Sequence, residues 1–193
     1  MKNLIVFIAP ALLLASCYED HSDIIPGQDF IPDEILAKIE ENGQPIFEGL
    51  TPPKVEGIFK SEPYVLVSSN FDDSYAYGDQ FGSLVTEFTE FNRKSLTLKV
   101  NIEQGGSAGE GYGSFISGLD DNFTIYVKVN RDYGEISTIE ARVYSGTLTE
   151  NGIYNLYVSI FMIDDGDDPA DNLIEVGQGR LFEDEDGFSE KVN

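Results

Sequence analysis

Clustered aspartates are the first candidates for chemistry in this sequence. The segment DDGDDPADN begins at Asp164 and continues with Asp165, Asp167 and Asp168. Hard cations such as Ca²⁺ bind roughly six to eight oxygen ligands, so these carboxylates are candidates for a weak calcium site. Their spacing does not match an EF-hand loop, and a solvated hairpin loop explains the same residues. We favour the solvated loop and predict no dedicated metal site.

Catalytic chemistry has little support elsewhere. The chain has one cysteine, Cys17, and one histidine, His21. Because this histidine lies in the predicted tether, the sequence argues against a Ser-His-Asp triad and against a histidine-containing zinc site. Carboxylate pairs can serve a glycosidase, but with 35 acidic residues such pairs are expected everywhere. The glycine-rich stretch 105–118 lacks the lysine and the following helix of a P-loop, and we interpret it as a flexible hairpin tip leading into a strand. We predict a protein that is not an enzyme and has no cofactor. An acid-catalysed hydrolase is the alternative that we favour least.

Cys17 is better explained as an anchor. Lys2 precedes the apolar run Leu4–Leu14, which is followed by small residues. A charged start, an apolar core of about 7–15 residues and small residues before the cleavage point define an export signal. The run is shorter than the roughly 20 residues of a transmembrane helix. Leu14-Ala15-Ser16-Cys17 resembles the lipobox of bacterial lipoproteins, which implies a signal peptide over 1–16 and a lipid on Cys17. The alternative is an ordinary secretory signal with a chance cysteine.

The residues that follow Cys17 are acidic. Glu19, Asp20 and Asp23 resemble the surface-export signal of lipoproteins in the Bacteroidetes. This resemblance implies an outer-membrane protein displayed on the cell surface, with the periplasmic face of that membrane as the alternative. The formal net charge of −23 argues against binding to nucleic acid or to anionic lipid headgroups. We therefore expect membrane contact through the lipid alone. We also expect the protein to be a monomer.

One short helix precedes the β-rich part of the chain. An acidic tether over 17–31 leads into PDEILAKIEENG, where Ile35 and Ile39 fall on one helical face. Acidic residues favour the first turn of a helix, and Asn-Gly is a typical end, so we predict a helix over about 33–42. It belongs to a segment, 32–54, that continues with three prolines.

From Val55 onward, apolar and polar residues alternate. This period of two is typical of half-buried antiparallel strands, and clusters of Gly, Asp and Asn separate the runs. Closing such a meander into a barrel removes its exposed edges. We predict an all-β domain over 55–193, an antiparallel up-and-down meander of about eight strands that forms a barrel, with a two-sheet sandwich as the alternative. The predicted strands are 55–60, 64–69, 81–91, 95–103, 112–118, 123–130, 136–149 and 152–163, with a last one at 173–183.

The start of this domain carries a family resemblance. PPKVEGIF, residues 52–59, followed by the meander, resembles a group of Bacteroidetes lipoproteins with a lipocalin-like (calycin) domain. Lipocalins begin their first strand with Gly-x-Trp, and a late Arg or Lys packs across the Trp to close one barrel end. Gly57-Ile58-Phe59 matches this motif with Phe in place of Trp, and the chain has no Trp. The resemblance implies closure by Gly57, Phe59 and Arg180, with simple core packing and a surface ion pair as the alternative.

The resemblance also implies a central cavity for a small apolar ligand. A barrel of about eight strands is just wide enough to fill with side chains or to hold one small ligand, and we favour a nearly filled interior. Two functions follow: a non-catalytic binding module for a small apolar ligand or a glycan, or an accessory lipoprotein that binds another envelope protein through its surface. The inward-facing candidates for the cavity are Leu96, Leu98, Phe123, Ile125, Tyr154, Leu156 and Val158.

Overall fold

The structure is a computed structural model that describes residues 31–168 and 172–192. The predicted signal peptide, Cys17, His21 and nearly all of the predicted tether lie outside the described residues. Across those two described ranges, no helix has the length and apolar character needed to cross a membrane.

A single helix, α1, spans Asp33–Glu41, as predicted. Two acidic residues in its first turn and Lys38 in its last turn complement the helix dipole. Ile35 and Ile39 are buried and lie one turn apart, so they form the apolar face. The helix packs against strand β10 (Gly152–Asp164), and the Lys38 Nζ donates to the Gly177 carbonyl at 3.3 Å.

Strands dominate the rest of the described chain. The remaining strands are β1 (Leu50–Thr51), β2 (Gly57–Ser61), β3 (Tyr64–Ser69), β4 (Gln80–Phe81), β5 (Leu84–Asn92), β6 (Thr97–Gln104), β7 (Ser107–Leu119), β8 (Asn122–Tyr133), β9 (Ile136–Leu148), β11 (Gly179–Asp184) and β12 (Phe188–Val192).

The predicted barrel is confirmed by the pairing of these strands. From β5 to β10 each strand pairs antiparallel with the next one along the chain. β12 pairs with both β10 and β2, and β2 pairs with β5, so eight strands form a closed ring. This ring replaces the two-sheet sandwich that the sequence left as an alternative.

The ring is closed at one end only. Toward the other end, β10 pairs with β11, β11 with β3, and β3 with the short β4. The path of paired strands ends at β4, so the sheet has a gap between β4 and β5 beyond the closed ring. The barrel therefore has a closed end, near β2 and β12, and an open end, near β3, β4 and β11.

Large side chains fill the closed half of the interior. Phe59, Phe88 and Tyr144 are fully buried, with ring centroids 6.0 Å apart for Phe59–Phe88 and 5.4 Å apart for Phe88–Tyr144. Phe123 and Ile125 belong to the same core. Burial of such side chains is the main favourable term in folding, so this half carries much of the stability of the barrel.

The segment between α1 and β2 covers the outside of the barrel. The Phe47 backbone N donates to Thr124 Oγ1 at 2.8 Å, and the Phe47 carbonyl accepts from Ser117 Oγ at 2.8 Å. The Gln44 amide donates to Ser145 Oγ at 3.0 Å. Thr124 and Ser145 alternate with inward-facing residues, so their side chains lie on the outside of the barrel. The segment that bonds to them therefore covers the outer face of β7, β8 and β9.

Two sequence interpretations need correction. The glycine-rich stretch is mostly strand, because β7 begins at Ser107. A Cβ on Gly109 would lie 2.8 Å from Val129 Cγ1, so glycine lets a neighbouring strand pack closely there. The predicted strand 173–183 is observed only from Gly179, and β12 was not predicted because FSEKV lacks a sustained apolar alternation.

Candidate functional site

The closed end carries the predicted aromatic residue beneath a different cation. Lys191 Nζ lies 5.9 Å from the centre of the Phe59 ring, and the two residues pair across β12 and β2. A Cβ on Gly57 would lie 2.6 Å from Lys191 Cε, so glycine leaves room for the lysine stem. The predicted cation, Arg180, is on β11 and binds Asp73 instead. Because β12 was not predicted, the sequence analysis assigned the packing across Phe59 to Arg180, the cation of the preceding strand.

The predicted cavity residues fill the interior instead of lining a cavity. Six of the seven are buried in the core: Leu96, Leu98, Phe123, Ile125, Leu156 and Val158. The seventh, Tyr154, is 53% exposed and packs against Phe188, with ring centroids 4.7 Å apart. The register of β10 against β9 shifts between Tyr154 and Tyr157. Such a bulge breaks the alternation on which the prediction depended.

A cavity of about 770 Å³ lies at the open end of the barrel. We call it the open-end cavity. Loops and strand ends at this end of the barrel line the cavity. They are the loop after β3, strand β4, the β6–β7 and β8–β9 hairpins, strand β10, and β11 with the segment before it. The aromatic residues that line it are Phe71, Tyr75, Phe81, Tyr133 and Phe182.

Arg180 and Asp73 form a bidentate ion pair in the wall of this cavity. Arg180 Nε lies 2.6 Å from Asp73 Oδ2, and Nη2 lies 3.0 Å from Oδ1. The guanidinium sits 5.2–5.3 Å from the ring centres of Tyr75 and Phe71, a cation–π distance. Its hydrogen bond lowers the pKa of Asp73 to about 2, and a bond from Ser69 Oγ adds to this effect. Both charges of the pair are thus fixed and neutralised.

Arg131 is a buried cation in the same wall with neutral partners. Its side chain donates from Nε to Ser107 Oγ at 3.1 Å and from Nη2 to the Gln104 carbonyl at 3.0 Å. The guanidinium lies 4.8 Å from the centre of the Tyr133 ring. The residue is only 7% exposed. Between residues 31 and 168 and from 172 to 192, no carboxylate forms an ion pair with it.

The floor of the cavity is the carboxylate of Glu140, held from below by Arg142. Arg142 Nε donates to Glu140 Oε2 at 2.8 Å, and Nη2 lies 2.7 Å from the same oxygen without completing a second hydrogen bond. Tyr133 Oη donates to Glu140 Oε1 at 2.9 Å. Burial is the largest influence and by itself would lower the pKa of Arg142, but the charge and hydrogen bond of Glu140, together with the neighbouring Tyr144 and Tyr64, outweigh it and the pKa is raised. Burial and the same carboxylate raise the pKa of Tyr133 to about 12.

A layer of buried polar groups separates the cavity from the apolar core. Arg142 Nη1, Tyr64 Oη, Tyr144 Oη and Thr86 Oγ1 have no hydrogen-bond partner in the described chain. Burial raises the pKa of Tyr144; Arg142 and Thr86 lie near enough to oppose that shift, but neither completes a hydrogen bond to its hydroxyl. Tyr64 stacks on the cavity residue Phe182, with ring centroids 4.7 Å apart. Arg142 and Tyr64 therefore contact residues that line the open-end cavity, and the Tyr144 hydroxyl lies near Arg142 and Thr86.

The aspartates of the candidate calcium site accept hydrogen bonds from backbone groups of their own loop. Asp164 Oδ1 accepts from the backbone N of Gly166 at 2.9 Å, and Asp165 Oδ1 accepts from Asp167 N at 3.2 Å. Asp168 Oδ2 accepts from Leu173 N at 2.8 Å. In the part of the chain that the structure describes, no three metal-binding side chains come together. The carboxylates instead satisfy backbone donors of their own loop.

The fold and the cavity together define an up-and-down β-barrel with one closed end and one open, polar-floored end. Comparison with known proteins adds no relative, because no family model, no curated protein and no solved structure matches this chain.

Proposed function

We propose that the protein is a lipid-anchored binding module of the cell envelope that holds a small, partly apolar ligand in the open-end cavity. The cavity itself carries the proposal. Its volume of about 770 Å³ falls within the roughly 300–1,000 Å³ of small-molecule sites. Aromatic side chains line it, and a few charged groups converge on it, which is the composition of a ligand pocket.

The state of the two partly or fully buried carboxylates that line the cavity, Asp73 and Glu140, favours binding over catalysis. A general acid needs a carboxyl group whose pKa is raised toward the working pH. Asp73 has the opposite property, because Arg180 lowers its pKa to about 2. Both carboxylate oxygens of Glu140 already accept a hydrogen bond, Oε2 from Arg142 and Oε1 from Tyr133. These contacts weigh against the acid-catalysed hydrolase.

The export signal and the lipobox support the anchoring half of the proposal. A lipid on Cys17 would tether the barrel to the outer membrane, with its cavity at the cell surface or, alternatively, in the periplasm. The Cys17→Ser variant should leave the membrane fraction for the soluble fraction, because no other anchor is proposed. If the variant remains with the membranes after a carbonate wash, the anchoring proposal is wrong.

Native mass spectrometry tests the binding half. The mature chain carrying Cys17→Ser should be purified gently from its own organism and weighed before and after denaturation. We expect an extra mass that denaturation removes. Ile160→Trp, which adds a large side chain to the cavity wall, should lose this mass, whereas Tyr154→Trp on the exposed part of the same strand should keep it. A bare mass for all three proteins would contradict the proposal.

A second candidate function, an accessory lipoprotein that binds an envelope protein, is favoured by one observation. Leu50 and Leu119 are 53% and 56% exposed, and they belong to β1 and β7, where Leu50 pairs with Gly118 and Thr51 with Leu119. Exposed apolar side chains of this kind can mark a protein contact. Crosslinking in intact cells tests it: Leu50→Glu with Leu119→Glu should abolish a specific adduct that Ile160→Trp leaves unchanged.

A further inference from the structure

We propose that the open-end cavity selects small amphipathic anions, and that Arg131 is the residue that binds their charged group. This inference rests on the proposed function and names its ligand class. The chain has a formal net charge of −23 and only four arginines. Two of them, Arg131 and Arg180, line the cavity, and Arg142 lies directly beneath it.

Among the described residues, the three guanidinium groups have two counter-ions. Glu140 neutralises Arg142, and Asp73 neutralises Arg180. Arg131 contacts a hydroxyl, a carbonyl and an aromatic ring, and no described carboxylate pairs with it. The other acidic residue that lines the cavity, Asp72, is exposed at the rim, where solvent screens it. The buried part of the wall therefore has an excess positive charge on Arg131.

A buried guanidinium without a counter-ion is unfavourable, because it loses hydration without gaining an ionic partner. Arg131 is 7% exposed, so little water reaches it. A ligand carboxylate, sulfate or phosphate would supply the missing charge, and a guanidinium binds such groups through paired hydrogen bonds. A cationic ligand would meet an uncompensated like charge.

The surroundings of Arg131 indicate the rest of the ligand. Aromatic rings and the side chains of Ile160, Met162 and Leu173 line the same cavity. These surfaces suit an apolar body, whereas Arg131 suits an anionic head. The buried polar groups beneath the floor, including Arg142 Nη1 and Tyr64 Oη, independently indicate that this end of the barrel is built around polar contacts.

The test uses one apolar chain with three different heads. The mature protein carrying Cys17→Ser is first titrated with the neutral fluorescent probe N-phenyl-1-naphthylamine. Dodecanoate, dodecanol and dodecyltrimethylammonium then compete for the probe below their micelle concentrations. We expect dodecanoate to displace the probe at a concentration about tenfold lower than dodecanol, the gain of a charge-assisted hydrogen bond. The ammonium compound should be the weakest competitor.

Variants assign the preference to Arg131. Arg131→Gln should bring dodecanoate and dodecanol to within about twofold of each other, whereas Arg131→Lys should keep part of the preference, because it keeps the charge but loses the paired N–H donors of the guanidinium. Arg93→Gln is the matched control: it removes the same charge from a site over the Phe91 ring, outside the cavity, and should change nothing.

The outcomes separate the two proposals. If the probe binds but dodecanol competes as well as dodecanoate, the anion inference is overturned and the binding module stands. The same holds if Arg93→Gln lowers the preference as much as Arg131→Gln. If neither the probe nor dodecanoate, followed directly by calorimetry, binds the protein, both proposals are overturned.

Discussion

The buried ion pair of Glu140 and Arg142 provides a quantitative test of how charge is held inside the barrel. The two residues are 1% and 0% exposed, and Arg142 Nε lies 2.8 Å from Glu140 Oε2. Glu140→Gln leaves the guanidinium charged, buried and unpaired, which should lower the free energy of unfolding by about 3–5 kcal/mol. For a domain of this size that corresponds to a fall in Tm of about 6–20 °C.

Replacing both members should be much less damaging. Glu140→Leu with Arg142→Met removes both charges and roughly conserves volume, a change that is often neutral or even stabilising. It leaves the Tyr133 hydroxyl without its acceptor, at a cost of about 1–3 kcal/mol. The double variant should therefore lie within about 3 kcal/mol of the wild type, and above Glu140→Gln.

Urea unfolding followed by circular dichroism and tyrosine fluorescence measures these differences, since the chain has no Trp. Lys60→Gln is the control: its pair with Glu62 is exposed, and the change should stay within about 1 kcal/mol. The reasoning is refuted if Glu140→Gln is no less stable than the double variant, or if its effect equals that of Lys60→Gln.

Two further predictions concern the pH dependence of stability. Burial raises the pKa of Asp184 to about 6, so the unfolded chain releases this proton first and stability should fall as pH rises from about 4 to about 6. Asp184→Asn should remove that slope in urea unfolding and raise the free energy of unfolding above neutral pH by up to about 3 kcal/mol; an unchanged slope would contradict the assignment. Asp73 behaves oppositely, because Arg180 lowers its pKa to about 2: its contribution should be complete above about pH 4 and fall by about 2 kcal/mol toward pH 2. Asp73→Asn should abolish that acid sensitivity, and a variant as acid-sensitive as the wild type would refute the account.

Alternation of apolar and polar residues was sufficient to predict the central strands. The predicted strands 136–149 and 152–163 match Ile136–Leu148 and Gly152–Asp164 closely. These strands are long and have one face in the barrel, so the period is repeated several times. β4 has two residues and β12 five, too few for a period to emerge. Their pairing depends on closure of the barrel, which is a tertiary effect.

The candidate site was beyond sequence reasoning for a related reason. Its residues come from segments as distant as Asp73 and Arg180, which meet only because β3 pairs with β11. Nothing in the local pattern around Arg131 indicates a cation without a counter-ion, since that property depends on what other strands bring near it. The prediction that Tyr154 faces the interior was wrong for a local reason. A bulge reverses the direction of its side chain, and alternation does not predict where a bulge occurs.

Under the proposed function, the contrast between the two ends of the barrel means that the open end gives up stability in order to bind its ligand. The closed half uses Phe59, Phe88 and Phe123, which are fully buried, whereas the open half keeps Arg131 desolvated with no carboxylate partner in the part of the chain that the structure describes. Unfavourable groups of this kind persist where function requires them. Arg131→Met should therefore be at least as stable as the wild type in urea, because it removes a buried charge and keeps an unbranched apolar stem. The same variant should lose its preference for dodecanoate over dodecanol. A large loss of stability in Arg131→Met, with the preference retained, would mean that Arg131 is a structural residue whose bonds to Ser107 and Gln104 outweigh its charge.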